Sequence, residues 1–372
     1  MILQQQPDYT AIHRMLPRSG DAIRRYILAF FEEMRIEVRK NLRAAEIKIH
    51  FSFDMWSGLN RHAYQAIVAH WLDSETCLHT ALLSIHRFCG AHTGVNQAEH
   101  FWTTINDYEI QHLIGKFNID NASNNDTALQ EISRCLTLGG YPTIYPVTEC
   151  LRCFGHVLNL AFKAFLWGSN VEAFEVALDA IGDEVAELQH WRQKGPLGKL
   201  HNVLDYIRKT PQRLDRFEGM VRSMLPEETV HRVKLGNITC WSSDYEAIQR
   251  SFRLREPIEE FIRQAIRLNQ NGERDVSEQA LIHDELLPED WELLRSVKDI
   301  LEPFKEWTNR LQVRYANGCV ADILPTMDEL LSSLEDAKAF YTAEGNSAHL
   351  VAMINNGWDI LNKYVYITVS AT

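Results

Sequence analysis

Residues 47–54 read Ile-Lys-Ile-His-Phe-Ser-Phe-Asp, eight positions alternating apolar and polar without a break. Side chains with period two fit only a strand with one face in a core and the other toward polar surroundings. Ile47, Ile49, Phe51 and Phe53 take the buried side, so Lys48, His50, Ser52 and Asp54 take the other. A carboxylate is thereby delivered to the polar face at the end of a strand. Similar runs at Tyr64–Trp71 and Leu78–His86 follow after short links, which predicts an antiparallel meander.

After the meander the period changes. Phe101, Trp102, Ile105, Tyr108 and Leu113 recur at helical spacing between Thr93 and Ile114. Phe117–Asp120 then reads as a short buried strand with a second carboxylate, Asp120, at its C-terminal end. The Asn-rich turn behind it holds Asn121, Asn124, Asn125 and Asp126. A helix is expected from Asn124 to Leu138, stopped by Gly139-Gly140 and Pro142, then a strand near Val147–Leu151 and a helix from Phe154 to Leu166. An earlier helix is expected over Pro17–Arg43, with Ile23, Tyr26, Ile27, Phe30 and Phe31 at helical spacing.

The order βββαβαβα over residues 46–167 is that of a ribonuclease-H-like fold. Beyond residue 168 only helical patterns occur, at 171–192, 197–209, 213–224, 241–268, 288–312, 323–343 and 350–363. The expected class is α+β, in three parts: an N-terminal helical segment (1–45), a ribonuclease-H-like mixed-sheet core half (46–167) and a large all-helical insertion domain (168–372).

Two acids at the ends of two strands are the minimum for holding a divalent metal over a sheet. One Asp per strand end is also an ordinary cap, so the pair alone does not decide. Cys150-x-x-Cys153-x-x-His156 has zinc-like spacing, but no second Cys or His pair completes four ligands. No Gly-x-Ser-x-Gly elbow and no Gly-rich phosphate loop is present, which leaves ordinary hydrolase, kinase and dehydrogenase readings without support.

Seven scattered cysteines fit reduced thiols rather than a disulfide framework. The net charge of −12 argues against general affinity for nucleic acid, yet residues 192–234 carry ten Lys/Arg against five Asp/Glu. No apolar run approaches the 18 residues of a membrane span, and no secretory leader is recognised at MILQQQPDYT.

Ile49–Ser57 (IHFSFDMWS) with Tyr64–His70 resembles the first catalytic block of hAT-superfamily (hobo–Activator type) DNA transposases. Phe117–Asp126 (FNIDNASNND) resembles the second block. Cys153-Phe-Gly-His156 with Asn159-Leu160 resembles the family's Cys-x-x-His motif, and Asn237–Ser243 (NITCWSS) its Thr-Arg-Trp-Asn-Ser motif. Leu286–Trp291 and Leu301–Phe304 resemble later insertion-domain blocks, especially of fungal elements.

The resemblance implies that Asp54 and Asp120 are the first two acids of a DDE triad binding Mg²⁺ or Mn²⁺. It implies that Cys153 and His156 sit near the active site and that Trp241 contacts DNA at the cut end. The implied partner is DNA at terminal inverted repeats, the implied compartment the nucleus, with no membrane involved. The family's third acid, a Glu after the insertion domain, its C-terminal dimerisation segment and its N-terminal BED-type zinc finger are not matched in the chain, and Cys240 stands where the family has Arg. The expectation is therefore a transposase truncated at both ends, its fold incomplete at the C-terminus and inactive alone. The alternative is a domesticated nuclear DNA- or protein-binding module without catalysis.

Overall fold

The computed structural model describes residues 19–58, 62–88, 93–168, 174, 176–178, 180–229, 232–236, 243–270, 281–312, 322–345 and 348–371. Two compact units meet in sequence at Cys153 and Phe154.

The first unit opens with helix α1 (Gly20–Arg43), whose N-cap Ser19 accepts a hydrogen bond from the Ala22 N–H at 3.2 Å. Strands β1 (Ile49–Ser57), β2 (Ala63–Leu72) and β3 (Leu78–Phe88) form the expected antiparallel meander. Its second turn is organised by Asp73, whose Oδ1 accepts from the Glu75 and Cys77 N–H groups, both at 2.9 Å. Helix α2 (Gly94–Tyr108) then carries the chain across the sheet, so that β4 (Ile114–Ile119) lies parallel to β1. Helix α3 (Ser123–Leu138) and a helical turn α4 (Pro146–Glu149) lead to β5 (Cys150–Arg152), parallel to β4. The sheet order is β3-β2-β1-β4-β5. This mixed five-stranded sheet followed by helices is the ribonuclease-H-like core plus helical region expected from the element order.

Strand β5 begins three residues later than Val147 because Pro146, at the first helical position, starts a turn of helix instead. One face of the sheet carries Phe51, Phe53 and Phe117, which meet Phe101 of α2 with ring centroids 5.0–6.2 Å apart. Ile105 of α2 and Leu129 and Ile132 of α3 complete this core.

Helices α2 and α3 approach each other at Gly94. A Cβ there would lie 2.3 Å from the Asn124 carbonyl oxygen and 2.7 Å from the Ala128 nitrogen. Both are backbone atoms and cannot swing aside. Gly94→Ala is therefore expected to cost about 1–3 kcal/mol or more by overpacking, read as a lower urea midpoint with an unchanged slope.

His100 of α2 sits between Gln65 Oε1 and Ser84 Oγ, each 2.8 Å from a ring nitrogen, with His86 stacked on it at 4.4 Å. Burial, with the neighbouring His86 adding, lowers its pKa from 6.5 to about 4. The unfolded chain thus takes up this proton at a higher pH than the folded one. The stability contributed by neutral His100 is present above pH 6.5 and is lost as pH falls toward 4. Thermal melts across that window should fall more steeply for the native chain than for His100→Gln; parallel curves would contradict this.

The second unit is helical: α5 (Phe154–Trp167), α6 (Glu184–Arg192), α7 (Pro196–Arg208), α8 (Pro211–Met224), α9 (Ser243–Arg253), α10 (Arg255–Gln270), α11 (Pro288–Gln312), α12 (Ile323–Ala343) and α13 (Ala348–Ala371). The single helix expected over 241–268 is two. Pro257 has no N–H and its ring excludes a continuous helix from the preceding turn, so the chain breaks at Leu254 and restarts. Phe217, Phe261 and Trp291 are among the largest buried side chains of its core. Asp284, 0% exposed, ties this unit together: Arg192 grips it through Nε and Nη2 at 2.9 and 2.7 Å, and Asn202 Nδ2 adds a bond of 3.0 Å.

Candidate functional site

Asp54 and Asp120 are brought to the same end of adjacent parallel strands. On β1 and β4, Phe51 stands opposite Phe117 and Ser52 opposite Asn118. Two residues beyond that last pair, on each side, stand Asp54 and Asp120. Neighbouring strands run about 4.8 Å apart and parallel neighbours at one level point their side chains the same way. Both carboxylates therefore leave the face opposite the phenylalanine cluster. Asp54 is exposed and Asp120 half-buried.

Asp120 is held by the Asn-rich turn. Its Oδ1 accepts from the Ala122 N–H at 2.9 Å and from the side-chain amide of buried Asn125. Its backbone carbonyl accepts from Arg152 Nη1 at 3.1 Å. The same guanidinium takes the Asp126 carboxylate at 2.5 Å, which draws that third nearby acid toward β5. Asn125 and Arg152 were not assigned roles from sequence. An Asn five residues after a strand-end Asp is a weak signal for the first; nothing local signals the second, because β5 must first pair with β4.

The polar face continues away from the acids as a hydrogen-bonded row. Ser52 Oγ meets His70 Nε2 at 3.0 Å, and His70 Nδ1 meets Thr80 Oγ1 at 3.0 Å. Burial lowers the pKa of His70, with His50 adding, and burial lowers that of His50, with Lys116 adding and Glu149 opposing. Both shifts disfavour the charged imidazolium form.

The Cys153 N–H donates to the Ile119 carbonyl at 2.8 Å, which places this residue beside the end of β4, next to Asp120. Cys153 forms no disulfide, and neither do Cys77, Cys135 and Cys150. His156 lies in the first turn of α5 and belongs to the helical unit. Trp241 and Cys240 lie outside the described residues. Just beyond them, Asp244 in the first turn of α9 is half-buried; desolvation pushes its carboxyl up to about 7, against Lys163 and a hydrogen bond from Trp167. Among the described residues no group of three or more His, Cys, Asp or Glu is placed to hold a metal.

The profile of the ZBED1 RNase-like domain, a hAT-derived domain, matches residues 52–140, a stretch containing both Asp54 and Asp120. Two maize (Zea mays) proteins, "Putative AC transposase" and "Putative AC9 transposase", are each 24% identical over 154 residues, 39% of this chain. This is a hAT-type transposase-like chain. A third relative of the transposase-like chain is the "Putative transcriptional regulator tpeD" of Talaromyces stipitatus, 21% identical over 351 residues, 90% of the chain. These matches take in 38% of the fungal relative and 18% of each maize relative. No described helix is long and apolar enough to cross a membrane.

Proposed function

We propose that this chain handles DNA as a derivative of a hAT transposase, with Asp54 and Asp120 as a two-carboxylate seat for Mg²⁺ or Mn²⁺, and that it does not cut DNA alone. The observation that carries this reading is the shared level of the two acids at adjacent strand ends. Hard oxygen donors in that arrangement suit Mg²⁺, which needs only one or two carboxylates and keeps waters. A bound divalent ion would supply Lewis-acid stabilisation of charge on a phosphate.

The chain's own part is positioning. The turn amides and Asn125 converge on Oδ1 of Asp120, so the other oxygen, Oδ2, is the one available to a ligand. Arg152 keeps Asp126 paired. With DNA as partner, in the family at terminal inverted repeats, the nucleus is the proposed compartment.

The test is to incubate the purified chain with plasmid DNA and Mn²⁺. Retention that weakens steeply with salt, without nicking, is expected. Nicking lost in Asp120→Ala would overturn the non-cutting part, and no retention at low salt would overturn the DNA part.

A second reading is a domesticated nuclear DNA- or protein-binding regulator. It is favoured by the tpeD match, which covers 90% of the chain where the maize transposases cover 39%. DNA retention undiminished in an Asp54→Ala/Asp120→Ala variant, with or without Mn²⁺, would favour it.

A further inference from the structure

The chain doubles back between helices α6 and α7. Trp191 of α6 stacks on His201 of α7 with ring centroids 3.6 Å apart. One turn before Trp191, the Leu188 carbonyl accepts from Asn202 Nδ2 at 3.0 Å. The two helices therefore run in opposite directions. Side chains four residues apart share a helix face, so Glu187 stands on the face of Trp191 and Asp205 on the face of His201. Both steps lead away from the connecting turn, and the two carboxylates come to line one cavity.

That cavity has a volume of about 850 Å³, within the roughly 300–1,000 Å³ of small-molecule sites. Leu178, Leu214 and Val233 give it an apolar wall. An adjoining cleft shares Glu187, Trp191, His201 and Asp205 and adds Asn202. Arg232 and Lys234 also line the cavity, but both are paired already, with Glu218 and Glu246. Arg208 and Lys209 are exposed to solvent. Desolvation lowers the His201 pKa to about 4, so it brings no positive charge.

The acids are different. The carboxylates of Glu187 and Asp205 have no ion pair or hydrogen bond among the described residues. Oδ1 of Asn202 has no partner there either, although the residue is 1% exposed and both hydrogens of its Nδ2 are used, on Leu188 and Asp284. A buried acceptor without a donor is costly, and like charges lining one cavity repel. Three acceptors thus lack donors in one place.

We propose that this cavity binds a linear alkyl polyamine. One ammonium group sits among Glu187, Asp205 and Asn202, and the methylenes lie along Leu178, Leu214 and Val233. An ammonium carries three N–H donors and no acceptor, the complement of this set. A bare divalent ion would leave the apolar wall and most of the volume unused. The site lies wholly within the helical unit and is independent of the DNA and metal reading above.

Isothermal titration calorimetry of the full chain with spermidine, at about 0.15 M salt to screen surface charge, should show one-site binding. Glu187→Gln and Asp205→Asn should each weaken it about tenfold or more. Spermidine should raise the melting temperature of the native chain and not that of the double variant. Melts without spermidine establish that the variants fold, since removing one of two like charges should leave the midpoint unchanged or higher. Unchanged affinity in the double variant would overturn the site in favour of general attraction to a chain of net charge −12. Displacement of spermidine by an equal concentration of Mg²⁺ would overturn the organic ligand in favour of a metal. No binding to the native chain would overturn the proposal outright.

Discussion

Arg192→Ala is expected to destabilise the helical unit by about 3–5 kcal/mol, the cost of leaving a buried charge without its partner. Asp284 is wholly buried and receives both Nε and Nη2 of Arg192. Asn202 remains in the variant with one amide hydrogen bond to Asp284 and another to the Leu188 carbonyl, both 3.0 Å. A neutral amide cannot replace a two-pronged cation. The loss is therefore set by the stranded carboxylate, not by the missing arginine. Arg192→Met/Asp284→Leu removes both charges and should lose less than Arg192→Ala alone, because apolar pairs often match buried ion pairs in stability. Chemical denaturation followed by tryptophan fluorescence reads both, since Trp191 adjoins the site of change and is itself buried. A double variant as unstable as the single would contradict the account.

Phe117→Ala is the second large effect, about 3–5 kcal/mol for truncating a buried phenylalanine. Phe117 is fully buried and touches three other rings, with centroids 5.4 Å from Phe101, 5.9 Å from Phe51 and 6.2 Å from Phe53. Those rings hold the register in which Phe51 faces Phe117, and the two acids follow from it three residues on. Asn118→Ala, on the next residue and the opposite exposed face, should change stability by no more than about 0.5 kcal/mol. Equal losses in the two variants would mean that the phenylalanine cluster does not organise the sheet.

The local structure was legible where side-chain period and turn chemistry agreed. Alternation gave strand β1 and the polar side of Asp54, but Ile47, expected on the buried side, precedes the strand and is 50% exposed. Gly139-Gly140 gave the end of α3. The helix expected over 241–268 ran through Pro257 because apolar spacing on either side continues in phase; the missing N–H at that proline outweighs the spacing. The strand expected near Val147 was displaced by the fixed φ of Pro146 in the same way.

What sequence did not reveal depends on partners far along the chain. Asp54 and Asp120 reach one level through a parallel pairing across 66 residues, and alternation within one strand says nothing about its neighbour's register. Ser52, His70 and Thr80 form a row because the meander pairs His70 with both His50 and Thr80. Arg192 and Asp284 are 92 residues apart. Asn125 was visible as part of an Asn-rich turn, yet its bond to Asp120 needs the turn's backbone path. Such contacts are set by packing of whole elements, which local pattern does not encode.

The pairing of Asp54 with Asp120 is tested most directly by titrating Mn²⁺ into the full chain and following the free-ion electron paramagnetic resonance signal. Asp120→Asn keeps an oxygen for the Ala122 N–H, so the fold is preserved while a metal-binding charge is lost. The native chain should bind the ion, and Asp54→Asn and Asp120→Asn should each weaken binding by at least about tenfold, more than 1.4 kcal/mol. Binding that is unchanged in the Asp54→Asn/Asp120→Asn double variant would contradict the assignment of these two acids as one metal seat.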